Sequence, residues 1–262
     1  MKPNDNFSKL FGNTPVLGMI HLARDFGEDC VMRALHELEI FELEGVDGAI
    51  IENYHSHGVC DVEDTLREAS KARKKVVLGV NVLPNEFRTS MSLASQYGAS
   101  FVQLDYVAGK YRNRKFKESP IELNLSEYER AKSEFPEIVV LGGVWPKYYH
   151  PVSDSLLEID LRQGMSRAEA IVVTGEGTGQ ETPYDKIRTF RMFMGQYPLI
   201  VGAGLTPQNA YKQLMIADGA IVGTTFKPDE DTYRVVDRKL VRDFMNVVKK
   251  CRVDKASKRG LC

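Results

Sequence analysis

Short runs of β-branched and aliphatic residues alternate along the whole chain with longer stretches whose apolar positions recur at helical spacing. Eight runs read as strands: "PVLGMIHL" (15–22), "GAIIEN" (48–53), "KVVLGVNVL" (75–83), "SFVQLDYV" (100–107), "EIVVLGGV" (137–144), "EAIVVTG" (169–175), "PLIVGAG" (198–204) and "GAIVGTT" (219–225). The stretches between them predict helices at 28–45, 61–74, 86–97, 125–135, 154–164, 183–195, 207–216 and 232–250. In the first of these, Val31, Leu35, Leu38 and Leu43 form the apolar stripe and Gly45 stops the helix. Strand starts between 16 and 220 are on average about 29 residues apart, the size of one βα unit. Eight units in series, with no shift in composition to mark a second domain, predict a single-domain (β/α)8 TIM barrel; an open doubly wound sheet is the alternative. The barrel is expected over 15–250, after a lead-in at 1–14 and before a basic, flexible tail at 251–262.

Barrels of this kind build their sites at the C-terminal ends of the strands. There the runs turn polar: His21 ends the first, Glu52 and Asn53 the second, Asn81 the third, and Thr174 with Gly175 the sixth. In the fourth run, a period of two puts Gln103 and Asp105 on the same face as Phe101, pointing into the barrel. Buried polar groups without partners cost about 1–3 kcal/mol each, so this pair is expected to bond with Asn81 and Glu52 or to face a wet pocket. Glu52 and Asp105 are the candidate general base and acid. His21, Asn81 and Lys147 complete the candidate catalytic set, with Lys147 able to stabilise negative charge or to form a Schiff base.

The joints after the seventh and eighth runs are poor in side chains. Gly202, Ala203 and Gly204 lead into Thr206 and Pro207, good first residues for a helix, and Gly223, Thr224 and Thr225 lead to Lys227. Many barrels hold a substrate phosphate at these two joints, so all seven residues other than the helix starters, together with Gly175 of the third Gly/Thr-rich loop "TGEGTGQ" (174–180), are expected to bind phosphate. Relief of crowding by the glycines is the plainer alternative.

Other features add less. The basic segment "AGKYRNRKFKESP" (108–120) carries Lys110, Arg112 and Arg114, which read as a lid over an anionic substrate, as a solvated loop, or as a third alternative, a nucleic-acid contact. "HSHG" places His55 and His57 near Glu52, with Cys60, Asp61 and distant His150 as conceivable additional ligands, but a pair of loop histidines does not make a metal site, so no cofactor is assigned and a divalent metal stays as the alternative to exposed or substrate-contacting histidines. The chain of 262 residues has 43% apolar and 27% charged residues, the balance of a globular protein. A net charge of −1 removes any whole-protein argument for nucleic acid or an anionic membrane as the partner and leaves local patches open; a homo-oligomer is a further alternative. Cys30, Cys60, Cys251 and Cys262 are widely spaced and suggest no disulfide framework. With neither a signal-like apolar core in "MKPNDNFSKLFGNTP" nor an apolar stretch near the roughly 20 residues of a membrane helix, a cytoplasmic protein is expected.

The segments "LGMIHL" (17–22), "GVDGAIIENY" (45–54), "LGVNVLPN" (78–85), "IVVTGEGTG" (171–179), "VGAGLTPQN" (201–209), "ADGAIVGTTFK" (217–227) and "VDR" (236–238) resemble the BtpA/SgcQ family. That resemblance implies a TIM barrel and puts His21, Glu52, Asn53, Asn81, Thr174, Gly175, Gly204, Asp218, Gly223 and Lys227 at positions matching the family pattern. Around the fifth run the chain reads "GGVWPKY" (142–148) where the family tends toward "ADVHVKH", so Lys147 is kept while Gly143, Trp145 and Tyr148 replace polar residues. Two functions follow as expectations: an enzyme acting on a sugar phosphate or a phosphoribosyl or nucleotide-like compound by isomerase, lyase or glycosyl-transfer chemistry, or a non-catalytic assembly or regulatory factor that keeps a ligand-binding barrel.

Overall fold

A computed structural model describes residues 5–23, 29–55, 57–113 and 119–259. The strands are β1 (Val16–His21), β2 (Gly48–Glu52), β3 (Val77–Asn81), β4 (Phe101–Leu104), β5 (Lys110–Asn113), β6 (Ile121–Glu122), β7 (Val139–Gly143), β8 (Tyr149–Pro151), β9 (Ala170–Val173), β10 (Leu199–Val201) and β11 (Gly219–Val222). The helices are α1 (Asp5–Leu10), α2 (Cys30–Glu44), α3 (Val59–Ala72), α4 (Phe87–Tyr97), α5 (Leu125–Glu134), α6 (Leu157–Arg167), α7 (Tyr184–Met194), α8 (Pro207–Leu214) and α9 (Arg238–Arg259). Strands β1, β2, β3, β4, β7, β9, β10 and β11 close in that order into a parallel barrel, and each lies within one of the eight apolar runs. The chain is a (β/α)8 TIM barrel.

Strand alternation fills two separate cores. Leu17, Met19, Ile50, Phe101, Leu141, Val172, Ile200 and Ile221 pack inside the barrel, while Val16, Ile20, Ala49, Ile51, Leu78 and Val80 face the helices. The lead-in is part of the inner core: Phe7 of α1 and Phe11 just after it meet at a tilt with 5.2 Å between ring centroids, and Phe11 meets Phe101 edge-on at 5.3 Å. These rings close the N-terminal end of the barrel, so the chambers described below open at the other end.

The C-terminal segment differs from expectation. Helix α9 runs through Arg259 instead of giving way to a flexible tail at 251. Cys251 is buried, and the buried Lys255 ammonium donates to Ala217 O at 2.6 Å, so the polar sequence hides an anchored inner face.

The structure adds a three-stranded antiparallel sheet, in the order β6-β5-β8, built from the segments after β4 and β7. Trp145 fixes it to the barrel: its backbone N–H donates to Tyr111 Oη at 3.1 Å, and its indole N–H donates to Asp160 Oδ2 at 2.8 Å.

Candidate active site

Parallel register sets the first group of functional residues side by side, because His21 pairs with Glu52 and Glu52 with Asn81 across β1, β2 and β3. Asn81 Nδ2 donates to Glu52 Oε1 at 2.7 Å and to Gln103 Oε1 at 2.6 Å, which is the network expected for Gln103. His21 Nε2 lies 3.6 Å from Glu52 Oε2. Burial pushes the Glu52 carboxyl up to about 7, Lys147 opposes that rise and Asp105 adds to it. Burial, reinforced by Lys227 and Lys147, holds His21 well below its ordinary range. Burial thus disfavours charge on both members of the pair.

Asp105 projects from the end of β4, where its carboxylate accepts from the Tyr149 hydroxyl at 3.2 Å. Burial raises its pKa, and Lys147 and that hydroxyl pull it back. Gly143 of β7 is required beside it, since a Cβ there would overlap the Asp105 carbonyl oxygen. Lys147 follows β7, its backbone N–H donating to Thr174 Oγ1 at 2.7 Å and its ammonium to Thr178 Oγ1 at 3.0 Å.

His21, Glu52, Gln103, Asp105, Lys147, Tyr149 and Thr174 line a chamber of about 200 Å³, whose walls also include Tyr54, Leu83, Pro84 and Tyr148, while the buried Asn81 supports Glu52 without lining it. A smaller chamber of about 30 Å³ adjoins it, lined by Gly202, Ala203, Gly204, Gly223, Thr224 and Thr225 together with Thr178 and Gly179. Met19, His21, Lys147, Gly202 and Ile221 belong to both. Among the described residues, the amide N–H groups of Ala203 and Gly204 reach no protein acceptor, nor do those of Thr224 and Thr225, which open a 3-10 turn at Thr224–Phe226. Helix starts leave such donors free, and together they suit an anion.

Several expected phosphate ligands do other work. Gly202 lines the chamber, but its N–H donates to Val173 O at 2.8 Å and so belongs to the sheet. Gly175 lines neither chamber; a Cβ on it would press on Gln180 O and Glu181 O at 2.8 Å, so it serves the fold of its own loop. Lys227 is turned away and buried, its ammonium 3.5 Å from Glu37 Oε1 of α2 and 3.2 Å from Thr232 O, where burial lowers its pKa. Gly204 adopts φ +62°, and a Cβ there would run into the Gln180–Glu181 backbone, so relief of crowding requires glycine at this position. The start of α8 is closed by its own cap, in which Thr206 N donates to Asn209 Oδ1 at 2.8 Å.

The basic segment is also redistributed. Lys110 and Arg112 lie in β5 and line neither chamber, Lys110 standing 3.9 Å from Glu122 on the surface. Arg114 lies outside the described residues. Of the suggested metal-binding group, His55 stacks on Tyr233 at 3.5 Å and Cys60 is exposed, whereas His57 and Asp61 come together with Cys30. Sequence reasoning missed Tyr54, Tyr148 and Thr178. Tyr54 stands two residues beyond Glu52, and Thr178 lies inside a loop already marked by its glycines, so position was the available signal for both.

Barrel topology, a closed N-terminal end and a polar mouth define a TIM-barrel protein with a polar pocket at the strand ends. The chain belongs to the BtpA family, whose model matches residues 12–250. An uncharacterized protein of Pyrococcus abyssi is 28% identical over 92% of this chain and 98% of its own. The photosystem I biogenesis protein BtpA of Synechocystis is 23% identical over 97% of this chain and 94% of its own. Among solved structures, phosphoribosyl anthranilate isomerase from Thermus thermophilus superposes with a TM-score of 0.60 at 13% identity, covering 90% of this chain and 99% of that one. No helix among the described residues is long and apolar enough to cross a membrane.

Proposed function

We propose that the protein is an enzyme that moves protons on a small phosphorylated carbonyl compound, an isomerase or a lyase. The carrying observation is the junction of two unlike chambers, one with free backbone donors and the other with two carboxyl groups and an ammonium, which share His21 and Lys147. The phosphate would lie on the amides of Ala203, Gly204, Thr224 and Thr225. Glu52, poised near neutral pH, would take the proton and Asp105 would return one, while Lys147 would balance the negative charge that develops between them. Lys147 acts electrostatically on both carboxyl groups, which supports this charge-balancing role over Schiff-base chemistry. By its name, phosphoribosyl anthranilate isomerase acts on a phosphoribosyl compound, and the proposal extends that class of substrate to this barrel.

A thermal-shift panel of inorganic phosphate, sugar phosphates and nucleotides tests the reading. A ligand at about 100 times its Kd stabilises the folded state by about 2.7 kcal/mol. Thr224→Asp would put a carboxylate into the cradle and should abolish that shift; Gly204 is unsuitable because any side chain there strains the loop. If no phosphorylated compound shifts the wild type, or Thr224→Asp responds equally, the reading is wrong.

A further inference from the structure

The segment joining β2 to α3 carries Tyr54 into the larger chamber, and its far end meets a second constellation whose members line neither chamber. Cys30 opens α2, His57 stands two residues before α3, and Asp61 is the third residue of that helix. His57 Nδ1 is 3.0 Å from Asp61 Oδ2, and Cys30 Sγ is 4.0 Å from Asp61 Oδ1. One donor atom from each residue falls within 4.8 Å of the other two. Cys30 is buried, and the side chains of His57 and Asp61 are 8% and 23% exposed.

We propose that Cys30, His57 and Asp61 bind a divalent transition ion of the zinc class. Zinc bonds of about 2.3 Å to sulfur and about 2.0–2.2 Å to nitrogen or oxygen, at tetrahedral angles, separate the ligand atoms by about 3.4–3.6 Å. The 3.0 and 4.0 Å contacts reach the two different oxygens of Asp61, and one donor atom from each residue lies within 4.8 Å of the others, so side-chain rotation would have to draw the three to that spacing around an ion. The donor set selects the metal class: thiolate and imidazole suit zinc or cobalt, whereas magnesium and calcium require oxygen. Helix capping accounts for Asp61, which accepts from Gly58 N at 3.1 Å, and the hydrogen-bonding contact with that carboxylate accounts for His57, but neither calls for a buried thiol on the same carboxylate. Three protein ligands leave a fourth position for water or an added ligand. The ion would tie the start of α2 to the segment that holds Tyr54, whose path is already fixed by the Asn53 Nδ2 bond to His57 O at 3.3 Å.

The site is independent of the proposed reaction, and so is its test. Reduced full-length protein is treated with chelator and titrated with Co2+. One equivalent should develop a tetrahedral visible spectrum and a thiolate-to-cobalt charge-transfer band, both displaced by one equivalent of Zn2+. Cys30→Ser should remove the charge-transfer band and weaken binding at least tenfold, His57→Gln should weaken it similarly, and Cys60→Ser should change neither. Zn2+ should raise the Tm of the wild type and of Cys60→Ser but not of the two ligand variants, and either ligand variant that keeps a cooperative melt decides the matter. Absence of the band in the wild type, its persistence in Cys30→Ser, or its loss in Cys60→Ser would overturn the assignment.

Discussion

At the ends of β1, β2 and β3 the inward positions hold His21, Glu52 and Asn81; at or just after the ends of β7, β10 and β11 they hold Gly143, Gly202 and Gly223. Both halves of the mouth follow one alternation, yet one offers titratable side chains and the other offers backbone. Charge on the first half is set by burial, which lifts Glu52 to about 7. Backbone donors on the second half carry fixed dipoles that pH does not alter. A barrel divided in this way can hold an anion constantly while changing protonation beside it.

Glu52→Gln breaks this division most severely. The amide keeps the shape and can still accept from Asn81, but it cannot exchange a proton. Turnover of a substrate found in the ligand panel should fall by roughly 10²–10⁴. Phosphate affinity should stay within about twofold, since the anion donors belong to the other half. A steady-state assay paired with calorimetric binding would show whether the two losses separate; equal losses in both would mean that the halves do not act independently.

The second-largest effect is a stability difference with pH. Glu52 holds its proton more tightly folded, with a pKa of about 7 against 4.5 unfolded, so its stabilising contribution is full below 4.5 and is lost as pH rises to about 7. His21 has the opposite sign: its pKa is depressed from 6.5, so stability is lost as pH falls below 6.5. Below 6.5 the two slopes oppose each other, because folding favours the protonated carboxyl and the neutral imidazole. Glu52→Gln leaves the His21 slope alone. Relative to wild type, its unfolding free energy should therefore climb by roughly 3 kcal/mol from pH 4.5 to pH 8. Urea melts across that range would reveal parallel profiles if Glu52 titrated normally.

The division of the mouth was partly visible in the sequence. Strands buried on both faces read as unbroken apolar runs, and in a parallel barrel the ends of such runs share one rim, so His21, Glu52, Asn81 and the loops at 202 and 223 could be grouped without contacts. Orientation was not visible. Lys227 follows the cradle in sequence, but its turn folds back to Glu37, 190 residues away, and the lysine leaves the rim. Cys30 meets Asp61 only because α2 and α3 start beside each other. The small sheet escaped notice because β6 and β8 contain two and three residues, too few for a periodic pattern.

Thr178→Val gives the smallest expected effect and the closest test of how the halves communicate. The Thr178 hydroxyl accepts from Lys147 Nζ at 3.0 Å and from Tyr54 Oη at 3.3 Å, while its backbone N–H donates to Tyr148 Oη at 2.9 Å. Valine keeps the volume and that backbone bond but removes the acceptor that holds Lys147, a loss of about 1 kcal/mol or roughly fivefold in an equilibrium. Because Lys147 borders both chambers, phosphate affinity and turnover should fall together by similar factors. Glu52→Gln should move only turnover, and Thr224→Asp should act first on binding. A Thr178→Val enzyme in which only one of the two quantities changed would show that Lys147 serves a single chamber, and the junction would then have to be carried by His21.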